Sequence, residues 1–325
     1  MMKQKGKKTG MYVLLCIVVF VVSFAGSALF KFTHKSAATR KYMADWNDEV
    51  GTVYTDIEYG TKEANKFDLY VPADVSKDTY NLVVYIHAGG FTTGDKSDDK
   101  EMLQWLCSKG YVAAGINYTL RDDEHPDANI YTQSMEIKEA MPYVVNAAKE
   151  KGYNIDAMAM SGGSAGGCLA MLYAYRDASE SPVPVKMLFE AVGPSSFYPE
   201  DWKCYGLDLP DHKENAAGLF SVMSGKNITA DMFGTVEYDE VMKDISALLW
   251  VDKNTVPSIL AYGKHDKGQP YESSIRLDQR LTDCGVKHEY IVFEHSGHGL
   301  QNDSKKYIEY MEKVEEYLAT YLPVE

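Results

Sequence analysis

The chain has 325 residues, of which 45% are hydrophobic, 25% charged and 12% aromatic, and this globular profile excludes a disordered or fibrous protein. Five cysteines in such a length also exclude a small disulfide scaffold. Acids outnumber bases by 47 to 33, yet residues 1–41 hold eight bases and no acid, leaving 25 minus 47, or −22, for the remainder. A surface of that sign repels phosphate backbones, and with no local basic patch to offset it, nucleic-acid binding is set aside.

Residues 11–30 (MYVLLCIVVFVVSFAGSALF) carry no charge. At 1.5 Å per residue, about 20 helical residues cross a bilayer core of roughly 30 Å, so this run predicts a transmembrane or signal segment. It outlasts the apolar core of about 7 to 15 residues found in cleaved signal peptides, so an uncleaved single-pass anchor is expected. Ser23-Phe24-Ala25 and Gly26-Ser27-Ala28 are the alternative cleavage points of a secreted form. Four bases precede the run and four follow it, a near tie; the short tail at 1–10 is assigned to the cytoplasm and the catalytic bulk to the outside. Residues 31–48 then form a tether. Cys16 inside the run reads as an apolar side chain. Cys107, Cys168, Cys204 and Cys284 have no paired spacing, so neither a zinc site nor a disulfide framework is indicated.

Residues 49–325 read as one α/β domain. A β-branched run at 81–86 (NLVVYI) is a buried strand ending in His87-Ala88-Gly89-Gly90. Apolar residues at helical spacing (Met102, Leu103, Leu106) predict a helix over 98–110 that stops at Gly110, and a second strand follows at 111–116. A helix over 131–151, closed by Gly152, leads to a strand at 155–160 and then to the glycine-rich stretch 162–167, followed by a helical run at 168–175. Further strands are expected at 185–191, 258–262 and 289–293, and a final amphipathic helix at 304–321. Strands alternating with helices imply a mostly parallel sheet covered on both faces. Residues 195–256 break that rhythm and are too many for a plain connection, so they read as a cap insertion.

Gly162-Gly163-Ser164-Ala165-Gly166 fits G-x-S-x-G, the tight strand-to-helix turn that lifts a serine hydroxyl above the sheet edge. Its placement between a strand and a helical run is the context that the pattern requires, which makes Ser164 the candidate nucleophile. A serine needs a base, and the base an orienting acid. His298 lies in the loop after the last strand and Asp266 in the loop after the preceding one, giving the chain order Ser, Asp, His. His295 is the rival base and Asp252 the rival acid; Asp252 precedes its strand and so falls at the wrong sheet edge. His265 reads as a loop residue. The oxyanion formed on attack needs N–H donors, for which Gly89, Gly90 and Ala165 are the candidates, Ala165 at a helix amino terminus. His87 reads as a brace for that loop.

His87 to Gly94 (HAGGFTTG), Asn117 to Pro126 (NYTLRDDEHP), Ser161 to Gly167 (SGGSAGG), Gly263 to Asp266 and His298-Gly299 together resemble the α/β-hydrolase esterases, in the hormone-sensitive-lipase-like and feruloyl/acetyl-xylan esterase branches. The likeness covers roughly residues 55–320. It implies the α/β-hydrolase fold with Ser164 as nucleophile, Asp266 as acid, His298 as base, and Gly89 and Gly90 in the oxyanion hole. It also implies a small-molecule ester as substrate and no metal or organic cofactor. Two departures stand out: Ala88 replaces the first glycine of the usual His-Gly-Gly-Gly, which would be strained at positive φ, and Arg121-Asp122-Asp123-Glu124 replaces an apolar segment.

The expected activity is therefore a serine hydrolase cleaving esters of small or medium acyl groups through an acyl-enzyme. An amide hydrolase or peptidase on the same scaffold is the alternative, and an inactive membrane-tethered binding protein the alternative from another class. Phe197, Tyr198, Trp202 and Tyr205 in the cap are candidates for an acyl or aryl pocket or for the cap's own core.

Overall fold

The computed structural model describes residues 37–324, so the expected span at 11–30, the tail at 1–10 and the first part of the tether lie outside the described residues. Among the described residues no helix is long and apolar enough to cross a membrane. The chain divides into two compact units, Met1–Lys41 and Tyr42–Glu325. What is described of the first is a short helix, α1 (Ala37–Lys41).

The second unit is built on one eight-stranded sheet. Its strands are β1 (Gly51–Glu58), β2 (Lys66–Pro72), β3 (Tyr80–Ile86), β4 (Val112–Ile116), β5 (Ile155–Gly163), β6 (Val185–Ala191), β7 (Ser258–Gly263) and β8 (His288–Phe293), in the order β1-β2-β4-β3-β5-β6-β7-β8. β2 pairs antiparallel with both β1 and β4, and every other neighbouring pair is parallel. The helices fall between strands, except the last, which follows β8: α2 (Lys100–Ser108), α3 (Ile130–Glu150), α4 (Ala165–Leu172), α5 (Lys213–Ser224) and α6 (Val236–Met242) within the cap, α7 (Tyr271–Asp283) and α8 (Ser304–Tyr321).

The central strands are apolar on both faces because each face is covered. Leu82, Val84 and Ile86 of β3, with Met158 and Met160 of β5, pack in one core against α3 and α4. Val83, Ala159, Met187 and Phe189 point the other way, into a second core with Leu103 and Leu106 of α2 and Met311, Val314 and Leu318 of α8. Burying each such side chain contributes about 1.5–3 kcal/mol. The parallel carboxyl ends of β3, β5, β7 and β8 therefore converge on one edge, where the sequence-predicted loops emerge.

Four elements differ from the sequence expectation. β1 and β2 were not anticipated: β1 is a half-exposed edge strand, and β2 carries Asp68 in its interior. That carboxylate is buried because Lys96 Nζ lies 3.1 Å from it, with both side chains shielded from solvent. α7 was missed because half of its buried side is Ser273 and Ser274 rather than apolar, and Pro270 at its N-cap makes no side-chain cap bond. The helix starts at Ala165, as expected, but the helical run at 168–175 holds only to Leu172 and passes into a π-turn over Tyr173–Asp177.

The segment between β6 and β7 holds α5, α6 and several 3₁₀ turns. Phe197, Trp202 and Phe220 of this segment meet at centroid separations of 5.4 to 6.0 Å and belong to the same core as β3, β5, α3 and α4. Phe197 and Trp202 are thus buried against the main core, whereas Tyr205 is exposed.

Candidate active site

β5 ends at Gly163 and α4 starts at Ala165, so Ser164 alone makes the turn. Its φ of 53° is unfavourable for a residue with a Cβ. The turn is that tight because of what lies beside it: a Cβ on Gly166 would sit 1.9 Å from the Ile86 carbonyl oxygen, and one on Gly162 2.5 Å from Gly166. Helix α4 therefore starts hard against the end of β3, which only glycines allow. Gly163 has no such need, since its nearest neighbour to a Cβ is the Tyr85 hydroxyl at 3.7 Å.

The loops after β7 and β8 reach back over this turn. His298 Nε2 lies 2.8 Å from Ser164 Oγ, and His298 Nδ1 lies 2.8 Å from Asp266 Oδ2. An ionised carboxylate can only accept, so Nδ1 carries the hydrogen and Nε2 is left to accept from the serine hydroxyl. The other oxygen of Asp266 accepts from the N–H groups of Gly268 and Gln269 at 2.7 and 2.8 Å, and its side chain is 1% exposed. That carboxylate is fixed from both sides. The two loops are also tied to each other, with the His265 N–H donating to the Ser296 carbonyl at 3.0 Å.

The rivals are engaged elsewhere. His295 is exposed and its Nδ1 pairs with Asp303 Oδ1 at 2.8 Å, while Asp303 Oδ2 also accepts from Ser296 Oγ at 2.6 Å. Asp252 caps an exposed turn by accepting from the Asn254 N–H at 2.7 Å. His265 is exposed.

Gly89 (φ 130°) and Gly90 (φ 60°) both occupy left-handed backbone. Ala88 does not, so the departure from the usual glycine introduces no strain at that position. Among the described residues no hydrogen bond claims the N–H groups of Gly89, Gly90 or Ala165. His87 is buried and stacks on Tyr118 at 4.4 Å, its Nδ1 donating to the Ala88 carbonyl at 2.7 Å. Burial holds its imidazole below the usual histidine range.

Two supports escaped the sequence reading. Phe91 (φ 68°) follows the glycines, and its carbonyl accepts from Gln133 Nε2 of α3 at 2.9 Å and from the Arg121 N–H at 3.0 Å. Asp303 organises the loop bearing His298. A buried glutamine within an amphipathic helix was the only signal for the first, and nothing in the spacing marked the second. Of the five non-glycine residues at positive φ among the described residues, Phe91, Ser164, Val192 and Leu300 belong to the loops around this site, and strain of that kind collects where surrounding structure over-determines the backbone. A cavity of about 750 Å³ between the cap and α7 is lined by Tyr198, Asp201, Arg276 and Arg280 among others, and none of Ser164, Asp266 and His298 lines it.

A serine raised on a strained turn at the carboxyl edge of a mostly parallel sheet, under loops from the last two strands, defines an α/β-hydrolase of the esterase type. Within that class the chain belongs to the BD-FAE family, whose model matches residues 67–281. Solved structures with the same fold include a truncated carbohydrate esterase from gut microbiota (TM-score 0.65, 18% identity, covering 85% of this chain and 98% of that one). A thermophilic esterase, Est2, of the planctomycete Thermogutta terrifontis is similar (TM-score 0.64, 20% identity, 85% and 94%). Among curated proteins, kynurenine formamidase of Salmo salar is 28% identical over 127 residues, 39% of this chain and 40% of that protein. The probable carboxylic ester hydrolase LipM of Mycobacterium tuberculosis (strain ATCC 25618 / H37Rv) is 31% identical over 123 residues, 37% of this chain and 27% of that protein. The matched stretch thus spans less than half the length of either curated relative.

Proposed function

We propose that the protein hydrolyses carboxylic esters of small or medium acyl groups through an acyl-enzyme on Ser164. The observation that carries this reading is the continuous hydrogen-bonded line from Ser164 Oγ through the His298 ring to Asp266, at 2.8 Å in each step. His298 Nε2 takes the hydroxyl proton as Oγ attacks the ester carbonyl, and the Asp266 carboxylate stabilises the resulting imidazolium. The oxyanion is held by the N–H groups of Gly89, Gly90 and Ala165, the last aided by the amino-terminal dipole of α4. His298 returns the proton to the departing alcohol, and the same groups then direct water onto the acyl carbonyl.

Hydrolysis of short-chain p-nitrophenyl esters by the full chain and by Ser164→Ala tests the reading. Turnover that collapses in the variant, together with fluorophosphonate labelling of the parent at Ser164, is the expected result. Equal turnover in both would overturn it.

Amide cleavage is a second reading, favoured by the likeness to a kynurenine formamidase. N-formyl arylamides assayed beside the esters separate the two. The apolar run at 11–30 adds the proposal that this activity is anchored at a membrane with the catalytic domain extracytoplasmic, or is released by signal cleavage; fractionation of cells expressing the full chain decides which.

A further inference from the structure

Glu190 is the penultimate residue of β6, in register with Gly162 of β5, and it is fully buried. Its Oε2 accepts from the Gly193 N–H at 2.8 Å, and its Oε1 has no partner. The same carboxyl lies against the first turn of α4, since a Cβ on Gly167 would come within 2.8 Å of Oε2. The backbone between Glu190 and Gly193 is what holds the nucleophile turn. The Ala191 carbonyl accepts from the Ser164 N–H at 2.8 Å, and Val192 is forced to φ 52° with its own N–H donating to Ala261. Gly193 is fixed at both ends, because the Tyr262 hydroxyl donates to its carbonyl at 2.7 Å.

We propose that Glu190 is a positioning residue for Ser164 that acts in its neutral form: its carboxyl shapes the 191–193 turn that holds the nucleophile, and its ionisation switches the site down. The inference rests on the reading of Ser164 as nucleophile and Ala165 as an oxyanion donor. A carboxylate formed here would set a full negative charge under the helix end that must stabilise the oxyanion, raising the barrier to attack while leaving binding of a neutral ester unchanged.

The surroundings favour the neutral form. Burial pushes the Glu190 carboxyl up to about 8. The titratable groups that face it are Tyr85 of β3, Cys168 of α4, Tyr175 of the π-turn, Tyr262 of β7 and Tyr310 of α8, and burial raises all five. They stay uncharged through the range in which Glu190 titrates. Arg176, whose charge acts on Cys168, is engaged with Asp177 at 2.7 Å. Among the described residues no cation forms an ion pair with Glu190.

The test compares kcat and KM for a p-nitrophenyl ester from pH 6 to pH 10 in the full-length parent, Glu190→Gln, which keeps an acceptor for the Gly193 N–H, and Glu190→Ala. The parent is expected to lose kcat as the pH rises through about 8 with KM steady. Glu190→Gln should retain at least about fivefold more of its pH 7 rate at pH 9.5 than the parent does. Glu190→Ala should run about tenfold below Glu190→Gln in kcat at every pH, with KM within about twofold. Identical pH profiles in parent and Glu190→Gln would overturn the proposal. Where neither variant folds, ¹³C NMR of glutamate-labelled parent decides: a buried carboxyl titrating near 8 is expected, and none titrating above the ordinary range overturns it. Ser164→Ala, assayed alongside, keeps the underlying reading separate, because only full activity in that variant removes the nucleophile assignment itself.

Discussion

The Tyr205 hydroxyl donates to the Gly268 carbonyl oxygen at 2.8 Å, fastening the cap to the loop that carries Asp266. Gly268 is itself packed under the His298 ring, since a Cβ there would lie 3.3 Å from Cγ and Nδ1. One hydrogen bond thus joins the cap to both partners of Ser164. A typical bond of this kind contributes about 0.5–1.5 kcal/mol, and less where exposed. Tyr205→Phe should lower kcat/KM by about two- to tenfold. It should also speed proteolytic cleavage of the cap segment, followed by mass spectrometry, with little change in global unfolding.

Ser164→Ala should lower kcat by about 10⁶-fold and Asp266→Asn by about 10⁴-fold, the latter because an amide at 266 favours the wrong histidine tautomer. Asp252→Ala should stay within about twofold, since that residue only caps an exposed turn. Initial-rate assays on one ester read all three. A collapse in Asp252→Ala with activity surviving in Asp266→Asn would exchange the two assignments.

The glycines of the nucleophile turn should separate sharply. Gly166→Ala forces a Cβ to 1.9 Å from the Ile86 carbonyl and should abolish soluble expression. Gly163→Ala meets only the Tyr85 hydroxyl at 3.7 Å and should express at parental levels with a melting temperature within a few degrees.

The buried Glu190 also bears on stability. Its carboxyl titrates at about 8 in the fold against an ordinary value of 4.5, so between those values the native chain holds a proton that the unfolded chain has released. Native stability is then present in full below about 4.5 and falls as the pH rises through about 8. Glu190→Gln lacks this dependence. Its stability relative to the parent, measured by urea unfolding, should be at least about 1 kcal/mol more favourable at pH 9 than at pH 5.

The parallel half of the fold was legible because its strands are short, mostly apolar runs, most of them followed by glycine-containing loops, and the last helix matches its expected limits at Ser304–Tyr321. The meeting of Ser164, Asp266 and His298 at one sheet edge was legible because each stands in a loop directly after such a run. The antiparallel edge was not, because Asp68 breaks the apolar pattern of β2 and its pairing with Lys96 exists only in three dimensions. α7 hides for a similar reason: of the serines on its buried side, Ser274 donates locally to the Tyr271 carbonyl at 2.7 Å, while Ser273 meets the Ser196 hydroxyl at 3.0 Å only in three dimensions. Glu190 was in plain view as an acid within the strand VKMLFEA, but a charge near its carboxyl end reads equally well as a strand end.

The left-handed backbone of Phe91, Ser164, Val192 and Leu300 has a consequence for anyone engineering this enzyme. Glycine at Val192 or Leu300 would relieve about 1–2 kcal/mol of local strain and so offers an easy gain in heat tolerance. Those same positions hold the serine turn and the histidine loop in register. Selection for thermal endurance and selection for turnover would therefore act in opposite directions on a handful of adjoining residues, and a heat-hardened variant obtained there should prove a slower catalyst.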